Sequence, residues 1–372
     1  VRPAILAGLL ACLAAGAQAA TPVVDQNGRT VRIPERVERV ATLVIPAASM
    51  AIAVDRGPAR LVGINPAARQ EIATGFLGHI FPAAKGIRAD MAGESFVPNV
   101  EAILATRPDL VVQWGDKGSA IVDPIARVGL PVLTLRYGDS ELAAEWLRLL
   151  GLGLTGRAAR GRELAERFLA VRDEIARASA AIPAARKPKV VYLYRAQGNG
   201  FQVAGAKTSM DSDIRLAGGI NVAAGLPGFA PVGAEQLLAW APDVVLLNNF
   251  EKDARPAALF ANPLLAGLPA ARQQRVYVYP QGGFRWDPPS QESPLAWRWL
   301  QTLFHPDRPA PALRQEMTAA YRELYGHAAS AADLDAVLRM ADNAGSRHYR
   351  EKFGAAPAEL LAQKVGAGGT VK

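Results

Sequence analysis

Aromatic and basic side chains recur in this chain at one kind of place, just beyond short runs of β-forming residues. Trp114 and Lys117 come at the end of DLVVQW, and Arg136 and Tyr137 at the end of PVLTL. Further on, Tyr194 and Arg195 close KVVYLYR, and Asn248, Asn249 and Phe250 close DVVLL, while Phe284, Arg285 and Trp286 follow RVYVYP. Rings offer apolar area, and guanidinium forks grip carboxylate or catecholate oxygens. Such a set suits the holding of a bulky, partly aromatic anion. No reaction centre accompanies it: G-x-S-x-G, H-E-x-x-H and the Walker loop are all absent. An enzyme is therefore not expected. The histidines, His79, His305, His327 and His348, have no metal-ligand spacing. His305 reads as structural, and His79 in GFLGHIFPA as near enough to reach a cleft. Tyr137 or Tyr194 is the right type to ligate a haem iron. No side-chain metal site and no intrinsic cofactor are expected.

The elements that must position these residues follow from apolar patterning. RVATLVI, RLVGIN, DLVVQW and PVLTLR in the first half, and KVVYLYR, DVVLLNN and RVYVYP in the second, alternate with helical stretches. That order implies parallel sheets with crossover helices. In open α/β sheets ligands bind beyond the carboxyl ends of the strands, which adds Gln113 and residues 47–50 to the candidates. Near the start, Asn27-Gly28 inside TPVVDQNGRTVRIP signals a two-residue hairpin. One unit occurs twice. Glu101 opens EAILATRPDLVVQW and Glu235 opens EQLLAWAPDVVLLNN, each a short helix stopped by Pro-Asp and followed by a buried strand. Between the copies, residues 156–183 read as one long amphipathic helix. Gly151-x-Gly153-x-x-Gly156 matches a dinucleotide pattern, but it follows helical ELAAEWLRLL and so marks a break between helices. Ser209, Met210 and Asp211 are placed to cap the helix ahead of AGGINVAA.

The chain has 372 residues, half of them apolar, which is ample for two lobes. Its +8 charge is dispersed rather than gathered in Lys/Arg blocks, so nucleic acid is not an expected partner. VRPAILAGLLACLAAGAQAA has the layout of a secretory signal peptide with an A-x-A cleavage site. Cys12 lies within it, after too short an apolar run for lipid anchoring to be the preferred reading, and it is the only cysteine. The expected division is 1–20 signal peptide, 21–155 first lobe, 156–183 linking helix and 184–338 second lobe. Residues 339–372 form an extension whose Gly-rich end reads as disordered.

Four segments together carry a family resemblance: DQNGRTVRIPERVERVA, the P-N-x-E-x-I-L-A run from Pro98, AGGINVAA from Ala217 and WRWLQTLFHPD from Trp297. The chain resembles ABC-importer substrate-binding proteins of the ferric siderophore, haem and cobalamin class. That resemblance implies an α/β fold of two Rossmann-like lobes, with mainly parallel sheets, joined by one long helix with a ligand cleft between the lobes. It implies a periplasmic monomer that captures a metal chelate, a ferric siderophore before haem or cobalamin, and hands it to a membrane permease. Glu101 and Glu235 match the glutamates with which the family docks to the permease. A permease-independent sensor or scavenger, or a secreted two-lobed enzyme, is the alternative. One departure is that the turn IPAASM lacks the acidic residue common after this strand in relatives. In QGGFRWDPPSQESPL, residues 281–287 are expected to face the cleft with Arg285 and Trp286 on the ligand. Residues 288–294 should then start a helix capped by Ser290 or Ser293.

Overall fold

The computed structural model describes residues 20–355, apart from 197–199, 252, 254, 310 and 311. The expected signal peptide and Cys12 therefore lie outside the described residues, except for Ala20, as does the end of the extension from 356. The chain opens with an antiparallel hairpin, β1 (Ala20–Val24) and β2 (Thr30–Pro34). Its turn spans five residues rather than two, because the Asp25 carboxylate gathers the backbone N–H groups of Asn27 (3.0 Å) and Arg29 (2.9 Å) and widens it. Gly28 supplies the positive φ of 74° this turn needs.

The first lobe continues as β3 (Val40–Thr42), α1 (Ile45–Asp55), β4 (Leu61–Ile64), α2 (Pro66–Thr74), α3 (Phe76–Ile80), α4 (Val100–Ala105), β5 (Leu110–Trp114), α5 (Asp123–Arg127), β6 (Val132–Leu135) and α6 (Ser140–Gly153). Its strands run parallel in the order β4-β3-β5-β6. The expected strand RVATLVI stops at Thr42, where Pro46 in the first turn of α1 starts a helix instead. Ala47, Ala48, Ser49 and Met50 are consequently buried inside α1 and line no cleft.

The linking helix is α7 (Ala158–Ala180), as its pattern predicts. It crosses α6 at a point where a Cβ on Gly161 would come within 2.7 Å of the Gly151 Cα, so both glycines are needed for the close approach. The guanidinium of Arg160 on α7 donates to the carbonyls of Ala53 (2.9 Å) in the first lobe and Glu323 (2.6 Å) in the second. One side chain thus pins the linker to both halves.

The second lobe runs β7 (Lys189–Arg195), β8 (Phe201–Ala204), α8 (Ser209–Leu216), β9 (Ile220–Asn221), β10 (Phe229–Val232), α9 (Ala234–Trp240), β11 (Val244–Leu247), α10 (Pro256–Phe260), α11 (Pro269–Arg272), β12 (Val276–Val278), α12 (Ser293–Phe304), α13 (Leu313–Tyr325), α14 (Ala331–Val337) and α15 (Tyr349–Phe353). Its sheet has the order β10-β8-β7-β11-β12, with β9 also beside β7. The three strands read from sequence, β7, β11 and β12, are parallel, and the unforeseen β8 and β10 add an antiparallel edge. The repeat extends to one pair of hydrogen bonds in each copy. Asp109 N donates to Arg39 O (2.7 Å) while its carboxylate accepts from Arg39 N (2.9 Å). Asp243 N donates to Lys189 O (2.8 Å) while its carboxylate accepts from Lys189 N (2.8 Å). Arg107 and Ala241 turn the chain with matching φ of 44° and 47°. The described part of the extension is built into this lobe. Asn343 exchanges two hydrogen bonds with Val278, at 2.8 and 3.1 Å, as a next strand would, and Tyr349 and Phe353 are fully buried.

After β12 comes the loop that closes on α12, and a buried carboxylate holds it. Glu292 accepts from Gly283 N (2.7 Å), Trp286 Nε1 (2.7 Å), Tyr325 Oη (2.5 Å) and Tyr321 Oη (3.3 Å). Gly282 and Gly283 are glycine because a Cβ at either would collide with Glu292 or the tyrosine hydroxyls. Neither expected serine caps α12, since Glu292 occupies that position. The Ser290 hydroxyl accepts from Glu292 N (3.2 Å), and the Ser293 hydroxyl from Ser290 N (3.0 Å). A glutamine at 292 would turn an NH2 group toward one of these donors. We expect Glu292→Gln to cost about 3 kcal/mol or more in urea unfolding, and a loss below about 0.5 kcal/mol would contradict the anchoring role.

Candidate functional site

The carboxyl ends of both sheets meet at the interlobe junction. Tyr137, just past β6, shares a 2.8 Å hydrogen bond with Ser209 at the start of α8. Gln281, just past β12, donates to Glu71 of α2 at 3.0 Å, and Phe76 N donates to Gly282 O at 3.1 Å. Ser209 does not cap its helix, for Thr208 does that by accepting from Asp211 N (3.2 Å), which leaves the Ser209 hydroxyl for the other lobe.

Each lobe presents an aromatic group with a cation on it. In the first, Trp114 packs edge-on against Phe96 (6.2 Å between ring centres) and Tyr137 (6.2 Å), and Lys117 lies 5.3 Å from the Phe96 ring. In the second, Tyr194 packs on Phe229 (4.3 Å) and Phe250 (5.4 Å), with the Arg195 guanidinium 5.0 Å from Tyr194 and 4.7 Å from Phe250. Arg285 lies over Phe250 at 4.8 Å and Phe284 at 5.8 Å. Lys117, Arg136 and Arg195 are exposed, and Tyr137, Tyr194 and Phe250 half-buried.

Arg285 is the unusual member. Its side chain is only 19% exposed, yet none of its nitrogens donates a hydrogen bond to a described residue. The carboxylates of Asp287 and Glu71 lie at 3.7 and 3.8 Å, close enough for attraction and too far for hydrogen bonding. Burial works against its charge, and Asp287 and Glu71 more than offset that, so its pKa sits above the ordinary value. Asp287 is itself fixed by the Tyr192 hydroxyl at 2.7 Å. Burial raises Glu71 above the usual carboxylate range, with Arg285 pulling the other way. Asn249 Oδ1, Asp287 Oδ1, Tyr279 Oη and Trp114 Nε1 are likewise buried and without a partner among the described residues. Donors and acceptors with unused capacity thus concentrate at these strand ends.

Several expected contacts turn inward. Trp286 is fully buried with its indole N–H on Glu292, and Phe284 is 2% exposed, so in this geometry both pack the loop from below and Trp286 offers no surface to a ligand. Arg285 instead turns over Phe250, with its guanidinium 4.8 Å from that ring, and reaches toward Glu71 of the first lobe. Asn249 spends its amide on Pro280 O (2.8 Å), Gln113 bonds Phe96 O (3.1 Å) and Ile121 O (3.2 Å), and Asn248 is buried. Trp114 is 4% exposed. Of the histidines, His305 is buried against Gly218 O (3.1 Å) and His79 reaches Asp333 across the junction at 3.3 Å. No group of three metal-binding side chains forms among the described residues. Sequence reasoning missed Phe96, Phe229 and Glu71. Phe229 sits on the edge strand β10, whose FAPV has a proline and only a weak strand pattern.

Residues 91–282 match the profile of the periplasmic binding protein family. The chain is 26% identical to the molybdate-binding protein MolA of Haemophilus influenzae, over 82% of this chain and 90% of that one. It is 28% identical to the ferric enterobactin-binding periplasmic protein FepB of Escherichia coli O6:H1, over 76% and 92% respectively. A crystal structure of a periplasmic solute binding protein from Veillonella parvula shares the fold at a TM-score of 0.80 and 26% identity, covering 87% of this chain and 98% of that one.

Behind the site, Asp213 of α8 is buried at the junction and accepts from Trp297 Nε1 at 2.7 Å. Burial pushes its carboxyl up from 3.8 to about 7 despite that bond. Between those pH values the folded chain holds a proton the unfolded chain has lost, so the contribution of Asp213 to stability falls as pH rises through this window. Asp213→Asn removes the titration. The variant's thermal midpoint relative to the parent should be higher at pH 8 than at pH 5, and an equal difference at both would contradict the burial of a titrating carboxyl here.

Proposed function

The chain belongs to the periplasmic binding protein family, and we propose that it is the solute-capturing component of an ABC importer, holding an anionic metal chelate between its lobes. The relatives compared above are solute-binding proteins rather than enzymes. Among the described residues no helix is long and apolar enough to cross a membrane. The observation that carries the anionic preference is Arg285, a mostly buried guanidinium with its hydrogen-bonding capacity unspent. Evolution rarely leaves a buried donor group idle, and an anionic ligand would satisfy it. Arg195, Lys117 and Arg136 add positive charge around it, and Tyr137, Tyr194, Phe229 and Phe250 add flat apolar area. That area favours a bulky chelate, a ferric siderophore first and haem or cobalamin next, over a compact oxyanion. In this reading the protein works as a periplasmic monomer, and Glu101 and Glu235, both exposed in the first turns of α4 and α9, dock it to the permease.

The protein purified from its native host should carry a stoichiometric metal, read by absorption spectrum and elemental analysis. Charge-transfer bands in the visible indicate a ferric siderophore and a Soret band haem. Titrating the stripped protein with that ligand by tryptophan fluorescence, Arg285→Gln should weaken binding about 10- to 100-fold, the worth of a charged hydrogen bond. An unchanged affinity would remove Arg285 from the site.

A further inference from the structure

The repeat that places Glu101 and Glu235 also places an exposed leucine beside each. In α4 the residue three positions after Glu101 is Leu104, 42% exposed, and in α9 the residue three after Glu235 is Leu238, 40% exposed. Spacing of three puts each leucine on the same helical face as its glutamate. The residues just before them, Ile103 and Leu237, are 0% and 1% exposed and fill the core, so each helix already has its buried anchor. A single exposed leucine needs no explanation. Its recurrence at the same register of both copies does, because the only other exposed position the two helices share after the glutamate holds the small Ala105 and Ala239, so the leucine is the one large apolar side chain the repeat keeps at the surface.

Neither glutamate pairs with a basic side chain among the described residues. Each lobe therefore shows a free carboxylate with an apolar side chain next to it. The matched Asp109 and Asp243 bonds and the matched turns at Arg107 and Ala241 fix both helices against their strands in the same way. The two patches are thus related by the operation that relates the lobes. We propose that Leu104 and Leu238 are the apolar anchors of a two-point docking surface, each seated with its glutamate on one of two equivalent basic-rimmed hollows of a two-fold symmetric membrane permease. This rests on the docking role of the glutamates and adds to it the source of short-range affinity, since exposed carboxylates steer association more than they hold it.

The test uses the ligand-loaded full-length protein and its cognate transporter in nanodiscs, with the dissociation constant measured at low and high salt. Leu104→Ser and Leu238→Ser should each weaken binding about tenfold, as the loss of one buried leucine predicts. Their effects should be similar and should multiply in the double variant, with the salt dependence unchanged. Glu101→Gln and Glu235→Gln should weaken binding and flatten the salt dependence. Ligand affinity and thermal midpoint of all four should match the parent, since the altered side chains are exposed. If the glutamine variants weaken docking and the serine variants do not, the apolar anchors are overturned and the docking glutamates stand. If neither set matters, both are overturned. An effect from only one leucine overturns the two-fold equivalence.

Discussion

The candidate site depends on a carboxylate that does not belong to it. Glu292 is buried at the mouth of α12 and collects four donors from the loop and from α13. A buried carboxylate is tolerable only when so satisfied, and then it specifies one arrangement of its donors. Here the arrangement draws Gly283 and Trp286 inward. Arg285, lying between Phe284 and Trp286, is thereby turned the other way, onto Phe250 and toward the first lobe. The glycines leave room for the carboxylate, the tryptophan fills the space beneath, and the arginine is held out with its donors unused. Stacking holds the guanidinium without consuming its N–H groups, which is how a side chain is kept ready for an anion.

Around that loop the rest is a frame with little freedom. Two sheets end at one junction, and α7 runs behind them, packed on α6 through paired glycines and bonded by Arg160 to both lobes. Such a linker resists large hinge motion, so the lobes can be expected to adjust around a ligand by small shifts at contacts such as Tyr137 with Ser209 and Gln281 with Glu71. The same rigidity keeps the distance between Glu101 and Glu235 constant, which a two-point docking surface requires.

Much of this could be read from residues alone. The seven strands of Val, Leu and Ile runs all form, because a strand buried on both faces leaves an unmistakable apolar signal. The long linker and the repeat were legible for the same reason, since periodicity and Pro-Asp stops are local. What was not legible depended on side chains meeting across the fold. Asp25 widened a turn that Asn27-Gly28 alone would have made tight. Thr208, not Ser209, capped α8, which freed Ser209 for Tyr137. Residues 284–286 were all candidate ligand contacts, and only the distant partner Glu292 explains why Trp286 is buried instead.

Arg285, in the proposed function, is presented to an anion between the lobes. Anomalous diffraction at a metal absorption edge, from crystals of the ligand-loaded protein, tests it most directly. A metal peak is expected between the carboxyl ends of the two sheets, with a ligand oxygen about 3 Å from an Arg285 nitrogen. A peak elsewhere, or a ligand in the cleft with Arg285 still making no hydrogen bond, would contradict it.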